Sequence, residues 1–165
     1  MVLKGRVWRL GDNVSTDHII PGRFYHLRSN LDELKNYTFQ DIIPCFAKKV
    51  SKGDVVVAGK NFGLGSSREH AAIVLKVLGI SAVVAPSFAR IFYRNAINIG
   101  LPAIICEVEG IEQGDNLEIR LGDGIIVDEN RGIERRFSPF PSIMRDILRE
   151  GGLEAYIRKY GDLKV

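Results

Sequence analysis

From Asn61 to Ala72 the chain reads Asn-Phe-Gly-Leu-Gly-Ser-Ser-Arg-Glu-His-Ala-Ala, and this stretch concentrates groups able to work on an anion. Gly63 and Gly65 let the backbone approach a ligand closely and take positive φ. Ser66, Ser67 and Arg68 then place two hydroxyls and a guanidinium at one point. A planar guanidinium matches a carboxylate through two parallel hydrogen bonds. A helix beginning just beyond adds backbone amides and the positive end of its dipole. The ligand this suits is small, anionic and oxygen-rich. Two nucleotide motifs are excluded. A Walker A loop ends Gly-Lys-Ser/Thr, whereas Gly65 is followed by Ser66 and Ser67. A dinucleotide fingerprint needs a third glycine where Arg68 stands. Residues 66–69 also fit a capping box, Ser-x-x-Glu, which is the plainer interpretation of that fragment alone and is compatible with the first.

A second polar cluster, Ser15-Thr16-Asp17-His18, ends on Ile19-Ile20 and a Pro-Gly stop. These four types can build a hydrogen-bonded pocket wall, although a turn with side chain-to-backbone bonds is the simpler reading. The loop at 23–30 carries Arg23, Tyr25, His26 and Arg28. Arg90 and Arg94 lie four apart on a helix and read as a solvated face, the alternative being an anion or partner surface. Cys45 and Cys106 show neither C-x-x-C nor metal-ligand spacing and read as small buried apolar residues, so no metal site is expected.

The elements that must position these groups follow from periodicity. Residues 54–58, 82–85 and 103–108 are short apolar β-formers, and helical patterns occupy 71–78 and 88–99, the latter capped by Ser87. Strand, helix, strand, helix, strand gives a small parallel sheet with crossovers. Residues 5–10 alternate like a strand. Residues 116–121 and 125–128 flank a Gly-Asp-Gly hairpin turn, and 132–137 add a further strand. Helices are expected at 31–37, from 39 until Pro44 breaks the pattern, at 138–149 and at 153–160. The reading is one α/β domain with extra strands from both ends.

The chain has 165 residues, with 45% hydrophobic and 26% charged residues, enough for a core of its own. A net charge of +3 without basic runs argues against nucleic acid and suits a small anionic substrate. No apolar run is long enough to span a membrane and no signal peptide opens the chain, so a cytoplasmic protein is expected.

Three stretches occur in order: residues 12–21 (Asp-Asn-Val-Ser-Thr-Asp-His-Ile-Ile-Pro), residues 61–72, and residues 86–92 (Pro-Ser-Phe-Ala-Arg-Ile-Phe). Together they resemble the swivelling domain of the aconitase family, and within it the free-standing small subunits of isopropylmalate dehydratases and homoaconitases. The resemblance covers nearly the whole chain and implies a single swivelling-type β/β/α domain over residues 1–165. It implies a hydro-lyase that removes water from a 2-hydroxy-dicarboxylate and adds it back the other way round. In such enzymes a [4Fe-4S] cluster acts as Lewis acid. Its cysteines lie in other domains, so a large cluster-bearing subunit is implied, in a heterodimer or heterotetramer, and this chain binds no cluster. Carried over by position, the serine base falls on Ser66 and carboxylate contacts on Ser67 and Arg68, beside Gly65. An active-site carboxylate falls on Asp17, with His18 next to it. The resemblance places the loop holding Leu27 and Arg28 against the variable arm of the substrate. An isopropyl group there implies leucine biosynthesis. A third carboxylate, paired with Arg28, implies a homoaconitase or an enzyme of both substrates. A stand-alone anion-binding module is the remaining alternative.

Overall fold

The computed structural model describes residues 1–163. Its centre is a seven-stranded sheet of order β4-β3-β2-β1-β5-β6-β7. Strand β1 (Val2–Arg9) joins the two halves. It runs parallel to β2 (Val55–Val57) and antiparallel to β5 (Asn116–Arg120). Beyond β2 lie β3 (Ala82–Ala85) and β4 (Ala103–Ile105), both parallel. Beyond β5 lie β6 (Ile125–Asp128) and β7 (Ile133–Arg136), both antiparallel. The sheet curls until its edges meet. The Cys106 thiol, just past β4, donates to the Arg136 carbonyl of β7 at 3.8 Å, and the Arg135 guanidinium donates to the Glu109 carbonyl at 2.8 Å.

The parallel strands carry apolar residues without alternation because both faces are covered. Val56, Val83 and Ala85 face one core, with Trp8, Phe39, Phe46, Phe62 and the apolar side of α4 (His70–Val77). Val55, Val57, Ala82 and Val84 face the other, with Leu117, Ile119, Ile126 and Leu148 of α6 (Ser142–Glu150). The expected strand–helix–strand–helix–strand run is present, its second helix being α5 (Arg90–Asn98). The last helix, α7, spans Leu153–Tyr160.

Several local expectations differ. The helix expected from residue 39 to Pro44 is a set of turns, because Phe39 takes φ +55 and Cys45 φ +63. A short helix, α3 (Phe46–Lys49), begins only after Pro44. The segment at 31–37 is one α turn, α2 (Leu31–Leu34), continued as a 3-10 turn Lys35–Tyr37. Ser87 does not cap α5, since its hydroxyl accepts from the Asn61 amide at 2.9 Å and Ala89 holds the cap position without a side-chain bond. Cys45 is exposed, contrary to a buried assignment, while Cys106 is buried. No helix among the described residues is long and apolar enough to cross a membrane.

One polar cluster lies inside the antiparallel half. Asp115 and Asp128 are both buried and meet side chain to side chain. Arg131 donates to Asp115 at 2.7 Å and to Glu112 at 2.7 Å, and the amides of Asn130 and Arg131 donate to Asp128 Oδ1. Burial works to raise Asp115, but bonds from Asp128, Arg131 and the Glu112 amide outweigh it and hold its carboxyl down to about 2. Burial, then the neighbouring Asp115, pushes Asp128 up. Among the described residues Asp128 Oδ2 has no hydrogen-bond partner, which a proton shared with Asp115 would supply.

The stability Asp128 contributes is therefore present below the unfolded carboxylate pKa and is lost as pH rises through its folded pKa. The contribution of Asp115 has the opposite sign and is lost only as pH falls toward about 2. Asp128→Asn, an isostere of the protonated acid, is expected to melt above the wild type at about pH 8, the gain shrinking toward about pH 5. Thermal melts across that range check it; a variant that melts lower at the alkaline end contradicts the shared proton.

Candidate active site

All three loops leave the carboxyl ends of parallel strands, where ligands of open α/β sheets bind. After β1 the chain enters residues 10–15, after β2 residues 58–69, and after β3 residues 86–89. The first two loops lock together. Asn13 and Asn61 both take left-handed φ, +58 and +59, and join side chain to side chain at 3.0 Å. The Asp12 carboxylate accepts the Lys60 amide at 2.8 Å. Further along, the Gly63 amide donates to the Val14 carbonyl at 2.7 Å and the Thr16 amide to the Leu64 carbonyl at 2.8 Å. Gly63 has to be glycine: its φ is +83, and a Cβ would stand 2.3 Å from the Phe92 ring.

These contacts bring the two polar clusters together across about fifty residues of chain. The Thr16 and Ser66 hydroxyls lie 3.2 Å apart, Thr16 being only 3% exposed. Gly65, at φ +106, leaves the space beside Thr16 open, where a Cβ would stand 3.3 Å from its hydroxyl. The Arg68 guanidinium reaches Asp17 Oδ1 at 3.4 Å and the Ile20 carbonyl at 3.2 Å. Asp17 Oδ1 also accepts the Gly22 amide at 2.8 Å. Ser66, Ser67, Asp17 and His18 are exposed, so the cluster forms an open surface.

The capping box lies elsewhere than expected. Helix α4 starts at His70, with Glu69 at the cap position and no side-chain bond, so Ser66 caps nothing. A true capping box opens the short helix α1 (Thr16–Ile19). Ser15 Oγ accepts the His18 amide at 3.1 Å, and His18 Nδ1 accepts the Ser15 amide at 2.9 Å. An imidazole whose Nδ1 accepts carries its proton on Nε2, so neutral His18 offers Nε2–H as a donor.

The loop at 22–27 is a 3-10 turn, Gly22–Leu27. Leu27 is half-buried and packs against the core. Arg28 is exposed, with its guanidinium 5.1 Å from the Tyr25 ring centre and bonded to the Tyr25 carbonyl at 3.3 Å. Arg23 makes a two-pronged bond with Asp41 at 2.8 and 2.5 Å and also feels the charge of Asp17. The hydrogen bond to Asp41 raises Arg23 and lowers Asp41 from their ordinary values. Thr16, Tyr25 and Arg23 belong to clusters visible in the sequence, which gives none of them a role of its own. Thr16 sits inside the Ser-Thr-Asp-His run, which was the available signal. For Tyr25 the signal is its place in the polar loop at 23–30.

The chain's own residues do not fit an iron–sulfur cluster. Such clusters are held by a set of cysteine thiolates, and this chain has two cysteines, one exposed beside α3 and one buried near β7. Among the described residues no group of three or more His, Cys, Asp or Glu side chains is placed to hold a metal ion. A cavity of about 410 Å³ opens between α4, α5 and α7. Its wall is closed by Lys76, which donates to the Ile99 and Gly151 carbonyls at two helix ends, a structural staple rather than ligand chemistry.

Residues 22–107 match the aconitase C-terminal domain family. The chain is similar to 3-isopropylmalate dehydratase small subunit 2 of Archaeoglobus fulgidus, 56% identical over the whole of both chains. It is also similar to the methanogen homoaconitase small subunit of Methanothermobacter thermautotrophicus, 53% identical over 92% of this chain and 88% of that one. Among solved structures, 3-isopropylmalate dehydratase (leuD) from Methanocaldococcus jannaschii superposes with a TM-score of 0.92. It is 47% identical, over 98% of this chain and 96% of that one.

Proposed function

Because the chain belongs to the aconitase C-terminal domain family, we propose that it is the small subunit of a hydro-lyase interconverting 2-isopropylmalate and 3-isopropylmalate. The observation that carries the site is the meeting of two distant loops, which sets Ser66 on Thr16 and Arg68 on Asp17. Each group has a chemical task. Ser66 Oγ takes the proton from the carbon next to a carboxylate, a weak acid that needs a strong base. The Thr16 hydroxyl, buried and within bonding distance, donates to the serine oxygen as negative charge develops on it. Arg68 holds a substrate carboxylate through its fork, and Ser67 adds a hydroxyl beside it. Asp17 occupies part of that fork in the free chain, so substrate displaces a carboxylate that already balances the charge. His18 donates from Nε2.

The exposed site needs a cover. We assign that role to a large subunit carrying the [4Fe-4S] cluster, with the reaction centre closed between the chains. The test is turnover by the assembled pair under anaerobic conditions, following the unsaturated intermediate by ultraviolet absorbance. Activity on 3-isopropylmalate is expected. A confirmed, cluster-loaded complex inactive on it and on homoisocitrate would leave the anion-binding module as the reading.

One observation favours a second substrate. Arg28 stacks on the same ring as Arg68, within reach of a ligand that carries a further carboxylate. The chain's similarity to a homoaconitase small subunit is consistent with this alternative. Arg28→Ala is expected to lower kcat/KM on homoisocitrate by about 100-fold, a lost charge-assisted bond, and on 3-isopropylmalate by about threefold at most. Equal losses on both substrates would remove Arg28 from the substrate's variable arm.

A further inference from the structure

Tyr25 lies at the centre of three charged or aromatic neighbours, Arg68, Arg28 and His70. Its ring centre is 4.8 Å from the Arg68 guanidinium carbon and 5.1 Å from that of Arg28. His70, the first residue of α4, packs edge-on against it, with ring centres 5.6 Å apart at 84°. The His70 Nδ1 is buried and has no hydrogen-bond partner among the described residues, so packing rather than hydrogen bonding at that nitrogen holds the ring. The ion pair with Asp17 and the bond to the Ile20 carbonyl both use the same Arg68 nitrogen, Nη1. Those two contacts anchor one tip of the fork and leave its plane free to swing. A guanidinium over an aromatic face is attracted by the negative centre of the ring and stacks against it. The Tyr25 ring therefore supplies what Nη1 alone does not, the orientation of the fork. For Arg28 the dependence is stronger, since its guanidinium meets the Tyr25 ring and the Tyr25 carbonyl. Two like charges so placed repel each other, and a shared π-face offsets part of that repulsion.

We propose that Tyr25 is a positioning residue that holds Arg68 and Arg28 as one carboxylate-reading pair, with His70 as its buttress. This rests on the assignment of Arg68 to a substrate carboxylate. The pair is set before substrate arrives, so the ring acts on binding rather than on proton transfer. Loss of the ring frees both guanidinium groups and raises KM, while Ser66 and Thr16 keep their geometry and kcat holds.

Two measurements test it. In the assembled two-subunit enzyme, Tyr25→Leu is expected to raise KM for 3-isopropylmalate about tenfold, with kcat changed by about threefold at most. Tyr25→Phe, which keeps the π-face, is expected to restore the wild-type KM. An unchanged KM in Tyr25→Leu, or a Phe variant as weak as the Leu variant, would overturn the proposal. In the isolated chain, the Nε–H resonances of Arg68 and Arg28, assigned through Arg68→Lys and Arg28→Lys, are expected to show ring-current displacement. It should persist in Tyr25→Phe and vanish in Tyr25→Leu. Resonances without displacement in the wild type would overturn the positioning role whatever the activity. Displaced resonances in a chain whose loaded complex turns over nothing would instead overturn the substrate assignment and leave the stacked geometry standing.

Discussion

Ser66→Ala is expected to lower kcat on the order of 10³-fold in the assembled enzyme, the scale of a lost general base. Binding should change little, because the carboxylate contacts come from Arg68 and Ser67. Folding should hold as well, since Ser66 is exposed and caps no helix. The substitution removes one partner of the 3.2 Å contact with the buried Thr16 hydroxyl. The measurement is single-turnover dehydration of 3-isopropylmalate, read beside a thermal melt and a subunit-association assay. Retention of a tenth or more of the wild-type rate would reject Ser66 as the base. Ser67→Ala supplies the comparison: Ser66 is the hydroxyl that meets Thr16, so the Ser67 variant is expected to raise KM and spare kcat. An exchange of these two phenotypes would shift the base by one residue.

Arg68→Lys is expected to lower kcat/KM by about 100-fold, or about 2.7 kcal/mol of binding carried into the transition state. The charge is kept, so the loss isolates what the fork and the plane contribute. Lysine offers a point charge without a bidentate face and stacks poorly on an aromatic ring. In the free chain it also forfeits the geometry that reaches Asp17 at 3.4 Å and the Ile20 carbonyl at 3.2 Å from one nitrogen. The loss should fall on KM for every substrate with a carboxylate at that position, in contrast to Arg28→Ala, whose effect depends on the variable arm. Steady-state kinetics on 3-isopropylmalate and homoisocitrate decide this. A lysine variant within threefold of wild type on both would mean that charge alone suffices and that Arg68 is not a two-pronged clamp.

Much of the fold is legible in the residue order because its signals are local. Residues 55–57, 82–85 and 103–104 are β-formers buried on both faces, and uninterrupted apolar runs of that kind announce parallel strands. The helix breaks at Gly100 and Gly151 are equally direct, since both residues take left-handed φ. Residues 39–45 misled for a physical reason. Their apolar spacing is helical, but Phe39 and Cys45 are bent into left-handed φ, and Phe39 reaches the core through a bond to the Ile19 carbonyl that periodicity does not register. Residues 66–69 match a capping box without forming one because the motif is short and degenerate. The pattern that folds as one is Ser15 with His18, in which an imidazole replaces the usual carboxylate.

The chemical groups themselves were readable in order: Ser66, Ser67, Arg68, Asp17 and His18 stand in short polar clusters beside glycines. Residue types and a Gly-rich turn fix what a stretch can do to an anion, because those capacities belong to side chains and local φ. The family, too, was carried by motifs along the chain. What tertiary structure alone decides is which distant groups meet. The pairing of β1 with β2 sets two loops side by side, and only then do Thr16 face Ser66 and Asp17 face Arg68. The same holds for Tyr25, which carries no motif and whose standing comes from Arg28, Arg68 and His70 converging on one ring. Such contacts depend on strand register and on the path of the backbone between strands, and neither is encoded within any one stretch of residues.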